Sequence, residues 1–551
     1  MGVPISSVTP GVSRADLSLV GSGGIGDGFN SYAHAMFPWK GKLYVGVSRC
    51  VFQSLALHHH SSGWSHIKHW PVDYPSEGID GLYTQLDRRG QIWSYDLSTH
   101  EWKQIFVSPS SIGNKGERIP REFGYRCMVL HRWPGELEDN LYITATATGR
   151  GPGSTIIQLS STGEFHQFGD HGLMGLPVTS VRSLVSFKGA LFAAPSGARG
   201  SRSNSCDYPA VFRCSDPSGS VWTKVSLDGF GDSSNITVFT LYAGKNYLYA
   251  GTLNNSGCQV WRTDAEIHDG LCHWECIASH GAGRGTLNQA VASMCEFNNA
   301  LYVGTGIQNG GFDIANNIGP AAGEIFRINS DDSISVVVGS RRKGELNLTS
   351  ISGLAPGFGN PLNGYIWSMC SHDGWLYAGT CNIGVMLEYV DLLKLRSMGT
   401  RLLSHVGVEN IVNQQAGAEL WRSPDGENWV PVSTGGIGNK YNLGVRNLIS
   451  SNNQLIIGTA NPFGPTVYTQ SAEGNWVSNE NPRGGFELFI SKQSYPITPS
   501  LPPQASVSNK PKMIILFLLL FISSVLGILL VHHHLHKSNS NSSSTSSFYL
   551  K

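Results

Sequence analysis

One short apolar strand recurs along the chain. It reads Leu43-Tyr44-Val45-Gly46, Leu141-Tyr142-Ile143, Leu191-Phe192-Ala193, Leu248-Tyr249-Ala250-Gly251-Thr252, Leu301-Tyr302-Val303-Gly304-Thr305, Leu376-Tyr377-Ala378-Gly379-Thr380 and Leu455-Ile456-Ile457-Gly458-Thr459. Self-similarity of this kind marks a repeat architecture. Another apolar strand and a turn precede each copy. An aromatic strand follows across a loop, as in Ile92-Trp93, Val211-Phe212-Arg213, Val260-Trp261-Arg262, Ile325-Phe326-Arg327 and Leu420-Trp421-Arg422. A polar turn then leads to a fourth strand, marked in five copies by Trp102, Trp222, Trp274, Trp429 and Trp476. Four short strands separated by turn residues predict a propeller blade. A blade cannot bury both faces alone, so the copies must stack. The expected fold is all-β, a seven-bladed β-propeller of four-stranded blades over residues 15–490.

A glycine loop leads into the first strand of several blades. It reads Gly24-Ile25-Gly26-Asp27-Gly28-Phe29-Asn30, Gly229-Phe230-Gly231-Asp232-Ser233-Ser234-Asn235, Gly357-Phe358-Gly359-Asn360-Pro361-Leu362-Asn363 and Gly436-Ile437-Gly438-Asn439-Lys440-Tyr441-Asn442. Residues 281–288 are a degenerate copy. After an N-terminal arm, 1–14, residues 16–21 look like a fourth strand with no blade before it. They could complete the last blade and close the ring; Asn475-Trp476-Val477 is the alternative.

The turn Ser423-Pro424-Asp425-Gly426-Glu427-Asn428-Trp429 resembles the Asp-box turn of sialidase-like propellers. Ser215-Asp216-Pro217-Ser218-Gly219-Ser220-Val221-Trp222 is a looser match, and Tyr95-Asp96-Leu97-Ser98-Thr99-His100-Glu101-Trp102 is more similar to a kelch blade. The resemblance implies repeat architecture over about residues 15–490. It does not imply sialidase activity, which needs an arginine triad and a Tyr/Glu pair; Arg118-Ile119-Pro120 is a weak likeness outside the expected position.

Composition narrows the function. Only 14% of the 551 residues are charged and the net charge is zero, against about 25% charged in an average globular chain. A basic binder of nucleic acid is excluded, as are broad disorder and a coiled coil. The 66 glycines suit many tight turns. Residues 513–531 carry no charge, and as a helix would span about 28 Å, close to the hydrocarbon core of a bilayer. They follow a Pro-rich linker, 491–512, and precede a polar tail, 532–551. The expectation is a single-pass C-terminal transmembrane helix. Residues 1–20 contain no apolar run, so the propeller is expected in the cytosol, in agreement with Lys510 and Lys512 before the span.

Long insertions, 48–90, 194–209, 306–322 and 381–418, fall mainly on one face, the last with a helix expected near 385–403. Loops of this length usually carry function. Nine residues before the repeated Leu stand His34, Arg182, Phe239, Ala292, Trp367 and Arg446; Arg126 takes the same place if one insertion is allowed. His34, Arg126, Arg182, Trp367 and Arg446 are therefore candidate ligand-binding residues at the channel mouth, suited to an anionic or sugar-like ligand. Alternatively the arginines pair with loop carbonyls and plug the channel. Asp27, Asp232, Asn360 and Asn439 could offer oxygen to a hard cation or cap their own turns. His58, His59, His60, His66 and His69 make a histidine-rich loop, either metal-binding or simply exposed. Cys272 and Cys276 form the one tight cysteine cluster and read as strand residues. Cofactor and nucleophile motifs are absent. The leading expectation is a membrane-anchored binding or scaffold protein engaging a protein or small molecule on the loop-rich face. The rival is an enzyme at the channel mouth, acting on a glycan or lipophilic small molecule.

Overall fold

The strands pair in the order of the repeat. In the computed structural model, residues 10–62, 66–198, 205–313, 316–342, 348–394, 403 and 405–493 are described. Chain contacts separate Met1–Pro496 from Ile497–Lys551. The apolar segment 513–531 and its flanks lie outside the described residues, and among the described residues no helix is long and apolar enough to cross a membrane.

The strands form consecutive four-stranded antiparallel ladders. The first is Asn30–Trp39, Lys42–Arg49, Gln91–Asp96 and Trp102–Val107. The second is Gly124–His131, Asn140–Thr146, Ile156–Leu159 and Phe165–Gln167. The third is Val178–Phe187, Ala190–Ala198, Phe212–Cys214 and Thr223–Lys224. The fourth is Asn235–Ala243, Leu248–Asn254, Val260–Thr263 and Glu275–Ala278. The fifth is Ala290–Phe297, Ala300–Gly306, Ile325–Ile328 and Ile334–Val338. The sixth is Asn363–His372, Trp375–Asn382, Leu420–Ser423 and Val430–Ser433. The seventh is Gly444–Ser451, Gln454–Ala460, Leu488–Ser491 and, on its outer edge, the N-terminal strand Leu17–Gly21.

First strands pack on one another in cyclic order, the seventh against the first. Bridges such as Ser48↔Gly124, Gly306↔Tyr365, Cys381↔Gly444 and Tyr32↔Ala460 tie the second strand of one ladder to the first strand of the next. This is the arrangement of a β-propeller. The Trp476 alternative for closure is corrected: Trp476–Glu480 pairs only with Thr466–Gln470, in a separate hairpin within the seventh ladder's insertion.

The glycine loops explain how each first strand is held. Ile25, Phe230, Ala282, Phe358 and Ile437 have φ between 53° and 61°, each after a glycine in the same region. A bulky residue there is strained, but burial of its side chain offsets the cost. Phe230 stacks on Trp261 at 4.9 Å and Phe358 on Trp421 at 4.5 Å. The indole N–H of each of these tryptophans donates to the side chain two residues before it, Gln259 and Glu419, at 2.9 Å. Asn235, at the start of its first strand, donates to the same Gln259 oxygen at 2.7 Å and to Gly229 O at 2.8 Å. Loop, first strand and third strand are thereby locked together.

Three insertions interlock into one apolar cluster. The first ladder's insertion contains the helix Val51–Ser62, so the expectation of a histidine-rich loop is corrected; the side chains of His58, His59 and His60 lie outside those described. The sixth carries the 3-10 turns Gly384–Tyr389 and Leu392–Lys394 and the helix Val408–Gln415, a more broken segment than the expected helix. Phe52 packs on Phe463 at 5.0 Å and on Trp70 at 5.5 Å. Tyr389 stacks on Trp476 at 5.3 Å and its hydroxyl donates to Tyr468 O at 2.7 Å. The cluster extends to Tyr32, Tyr365 and Trp367 on the first strands, so the insertions cover that end of them.

Candidate functional site

Every first strand carries a β-bulge at the same place. The register shifts lie between Ala33 and Ala35, Tyr125 and Cys127, Val181 and Ser183, Val238 and Thr240, Val291 and Ser293, Ile366 and Ser368, and Val445 and Asn447. The extra residues are His34, Arg126, Arg182, Phe239, Ala292, Trp367 and Arg446. A bulge releases its residue from the ladder and re-aims the side chain. The five predicted ligand-binding residues are thus structurally equivalent, and the insertion needed to align Arg126 is the longer turn, 132–139, between the first and second strands of that ladder. They sit deep in the molecule, yet each keeps some accessible surface, so they line a channel.

The ring has two unlike sides. The seventh, first, second and third ladders contribute Arg446, His34, Arg126 and Arg182. The fourth, fifth and sixth contribute Phe239, Ala292 and Trp367. Arg182 Nε donates to Phe239 O at 2.9 Å, and its guanidinium lies 3.3 Å from the Phe239 ring centre. Arg446 lies 5.2 Å over the Trp367 ring, and its Nε has no hydrogen-bond partner among the described residues. Arg126 reaches Ser180 and Ser196 hydroxyls only at 3.3 Å, and its Nε also lacks a partner there. The carbonyl that Arg182 Nε reaches belongs to the strand Asn235–Ala243 and not to a loop, and the side-chain partners of Arg126 are hydroxyls.

Electrostatics are dominated by burial. Burial pushes Arg126 down to about 9, with Arg446 adding to the effect, and pushes Arg446 down to about 10. Burial and the Arg446, Arg126 and Arg182 charges hold His34 well below its ordinary value. Near neutral pH the arginines keep their charge and His34 is neutral. Its Nδ1 lies 2.5 Å from Ser48 Oγ. Among the described residues no carboxylate forms an ion pair with Arg126 or Arg446, and Glu345 is the one acidic side chain outside them.

Tyr32 and Tyr365, which strand periodicity did not single out, complete the site. Tyr32 meets Trp367 edge-on at 6.1 Å, and Tyr365 stacks on Trp367 at 6.2 Å. Two glycines make room: a Cβ at Gly444 would overlap Trp367, and one at Gly306 would overlap Tyr365.

The candidate metal ligands lie on four separate ladder loops and cap turns. Asp27, Asp232, Asn360 and Asn439 accept the N–H two residues on, from Phe29, Ser234, Leu362 and Tyr441, at 2.8–3.2 Å. In two of them the choice between acid and amide is matched across the ladder. In the fourth ladder Asp232 meets Gln259, just before the third strand, and in the sixth Asn360 meets Glu419 in the same place; Asp27 instead pairs with Arg49 at 2.7 Å and Asn439 donates to Arg483 O at 3.2 Å. Gln259 donates to Asp232 at 2.7 Å, whereas Asn360 donates to Glu419 at 2.8 Å. Among the described residues no three His, Cys, Asp or Glu side chains converge as a metal site. His69 stacks on Trp476 at 4.9 Å and accounts for one member of the histidine group structurally. Asn235 and Asn254, both in glycosylation sequons, are buried and cannot report the compartment of the folded protein.

No family model and no curated protein matches the chain. Among solved structures it is similar to virginiamycin B lyase from Staphylococcus aureus, with quinupristin, at 9% identity and TM-score 0.39, covering 86% of this chain and 99% of that one. It is also similar to polysaccharide lyase Uly1, at 9% identity and TM-score 0.42, covering 84% and 90%. A puromycin-hydrolyzing peptidase of Mycobacterium tuberculosis matches at 10% identity and TM-score 0.41, over 87% of this chain and 56% of that one. These scores are low; the architecture rests on the strand pairings, and none of those proteins' chemistry is carried over.

Proposed function

We propose that the ladders are the seven blades of one closed propeller, tethered to a membrane by residues 513–531, and that the protein is a binding protein. Its ligand occupies the bulge ring beneath the insertion cap. The observation that carries this reading is the bulge repeated in all seven first strands, which turns seven equivalent side chains toward one place. A bulge weakens its ladder locally, and in three ladders the hydroxyl after it donates to the carbonyl before the next ladder's bulge, Thr240 to Val291 O, Ser293 to Ile366 O and Ser368 to Val445 O, each at 2.8 Å; that contact requires neither Arg nor His at the bulge itself.

The ring favours holding a ligand over transforming it. Guanidiniums and aromatic faces bind and orient, while a general acid or base needs a group poised near working pH. His34 is driven away from that range. The rival reading, an enzyme on a glycan or lipophilic small molecule, draws on the His34–Ser48 contact, but Ser48 is buried. Native mass spectrometry of the full chain purified in mild detergent tests the binding reading. A small-molecule adduct lost in Trp367→Ala supports it; an adduct unchanged in that variant and in Arg126→Met contradicts it. For the tether, resistance to alkaline carbonate extraction, lost on deleting 513–531, is the expected result.

A further inference from the structure

We infer that the ring binds a small organic oxyanion, its carboxylate, phosphate or sulfate group held by Arg126, Arg182 and Arg446 and its apolar body against Phe239, Ala292 and Trp367. The inference rests on the ring being a binding site and adds the ligand's chemistry. Three guanidiniums within interaction range of one another repel, and burial takes away the water that would screen them. A buried charge persists when something compensates it. For Arg126 and Arg446 no described carboxylate does so. Their unpartnered Nε atoms are the donors with which an arginine fork grips an oxyanion side-on.

The guanidiniums are also pre-set. Phe239 lies under Arg182 and Trp367 under Arg446, so their planes are fixed before a ligand arrives and little rotamer freedom is lost on binding. Neutral His34 adds no competing charge, and its Nδ1 is engaged with Ser48. The opposite arc is apolar. Ala292 is the smallest of the seven bulge residues and stands between Phe239 and Trp367 in ladder order, so the least side-chain bulk enters the ring there. An inorganic anion would satisfy the basic arc alone; an anion with an aryl or alkyl body satisfies both. Tyr32, Tyr365 and the insertion cluster pack against Trp367, and the lower local dielectric beside them strengthens each charge-assisted hydrogen bond.

The test is calorimetric titration of the full chain in detergent with phenyl phosphate, benzoate, inorganic phosphate and neutral benzyl alcohol. The expected result is saturable one-site binding of phenyl phosphate or benzoate, at least tenfold tighter than inorganic phosphate, with no binding of benzyl alcohol. Arg446→Met should weaken the organic anion at least tenfold while raising the urea midpoint of the ligand-free protein, because it removes an uncompensated buried charge. Ala292→Phe should abolish phenyl phosphate binding and spare inorganic phosphate; it is the second arm if the arginine variant misfolds. If benzyl alcohol binds as tightly as the anions and Arg446→Met leaves it unchanged, the oxyanion inference fails and the ring remains a binding site. If anions bind and neither substitution alters them, both the inference and the ring reading fail.

Discussion

Closure of the ring by the N-terminal strand can be tested with two leucines two residues apart. Leu17 is 7% exposed and packs in the cluster of Val445, Leu448, Leu455, Ile457 and Phe489. It pairs with Ser491 on the last chain segment of the seventh ladder, and Leu19 pairs with Phe489. Leu19, on the same strand, is 46% exposed. Truncating a buried leucine removes its transfer energy and leaves a cavity, about 2–5 kcal/mol, whereas a surface substitution stays within about 0.5 kcal/mol. Leu17→Ala should therefore lower the urea midpoint of the full chain well beyond the error of the method, with Leu19→Ala near wild type. Val477→Ala, in the rejected closing strand and 45% exposed, is a third arm and should also be near wild type. Hydrogen exchange adds location: Leu17→Ala should speed exchange first in residues 488–491, which then lose their outer neighbour. Equal effects from Leu17→Ala and Leu19→Ala, or a loss under about 0.5 kcal/mol for the former, would refute closure by residues 17–21.

Other consequences follow from the loop modules. Glu419→Gln places two amide donors face to face, Gln Nε2 against Asn360 Nδ2, and should cost about 1–3 kcal/mol; adding Asn360→Asp recreates the Asp232–Gln259 pairing and should restore most of it, a coupling read from a double-mutant cycle. Phe358→Ala loses the stack on Trp421 and should cost about 3–5 kcal/mol by chemical denaturation. Burial would raise the Glu324 carboxyl, but the hydrogen bond from Arg342 and the charges of Arg284 and Arg342 outweigh it and hold it below its ordinary 4.5. Its stabilising contribution is thus present above that pH and is lost as pH falls through the lowered folded value. In Glu324→Gln the stability-versus-pH curve should flatten below about 4.5. Glu419 is raised instead, by burial against hydrogen bonds from Asn360 and Trp421, so its effect has the opposite sign: stability falls as pH rises through its folded value, a slope absent in the Asn360→Asp/Glu419→Gln pair.

Much of the fold was legible because each blade repeats its apolar strand with a fixed partner order. The Leu-aromatic strands became second strands, the Trp93, Trp261 and Trp421 strands third ones. The alignment offset of nine residues worked because the bulge recurs at one register position in all seven ladders. Trp476 misled because a tryptophan after a polar turn looks alike in a fourth strand and in an insertion hairpin; the pairing of Leu17–Gly21 with the last ladder decides between them. The cap was not legible. Its helices are short, and its apolar residues come from three insertions far apart in the chain, so no local period announces that Phe52, Tyr389 and Phe463 meet. Tyr32 and Tyr365 were hidden for a related reason: a second register shift on their strands, between Asn30 and Tyr32 and between Asn363 and Tyr365, breaks the alternation by which a channel-facing residue would be recognised.

The most direct measurement is a crystal structure of the protein soaked with 4-bromobenzoate, using the bromine anomalous signal. The account predicts one strong peak beside Phe239, Ala292 and Trp367, with the carboxylate turned toward Arg126 and Arg446. Bromine found only on the outer surface, or in the ring with its carboxylate turned away from the arginines, would contradict it.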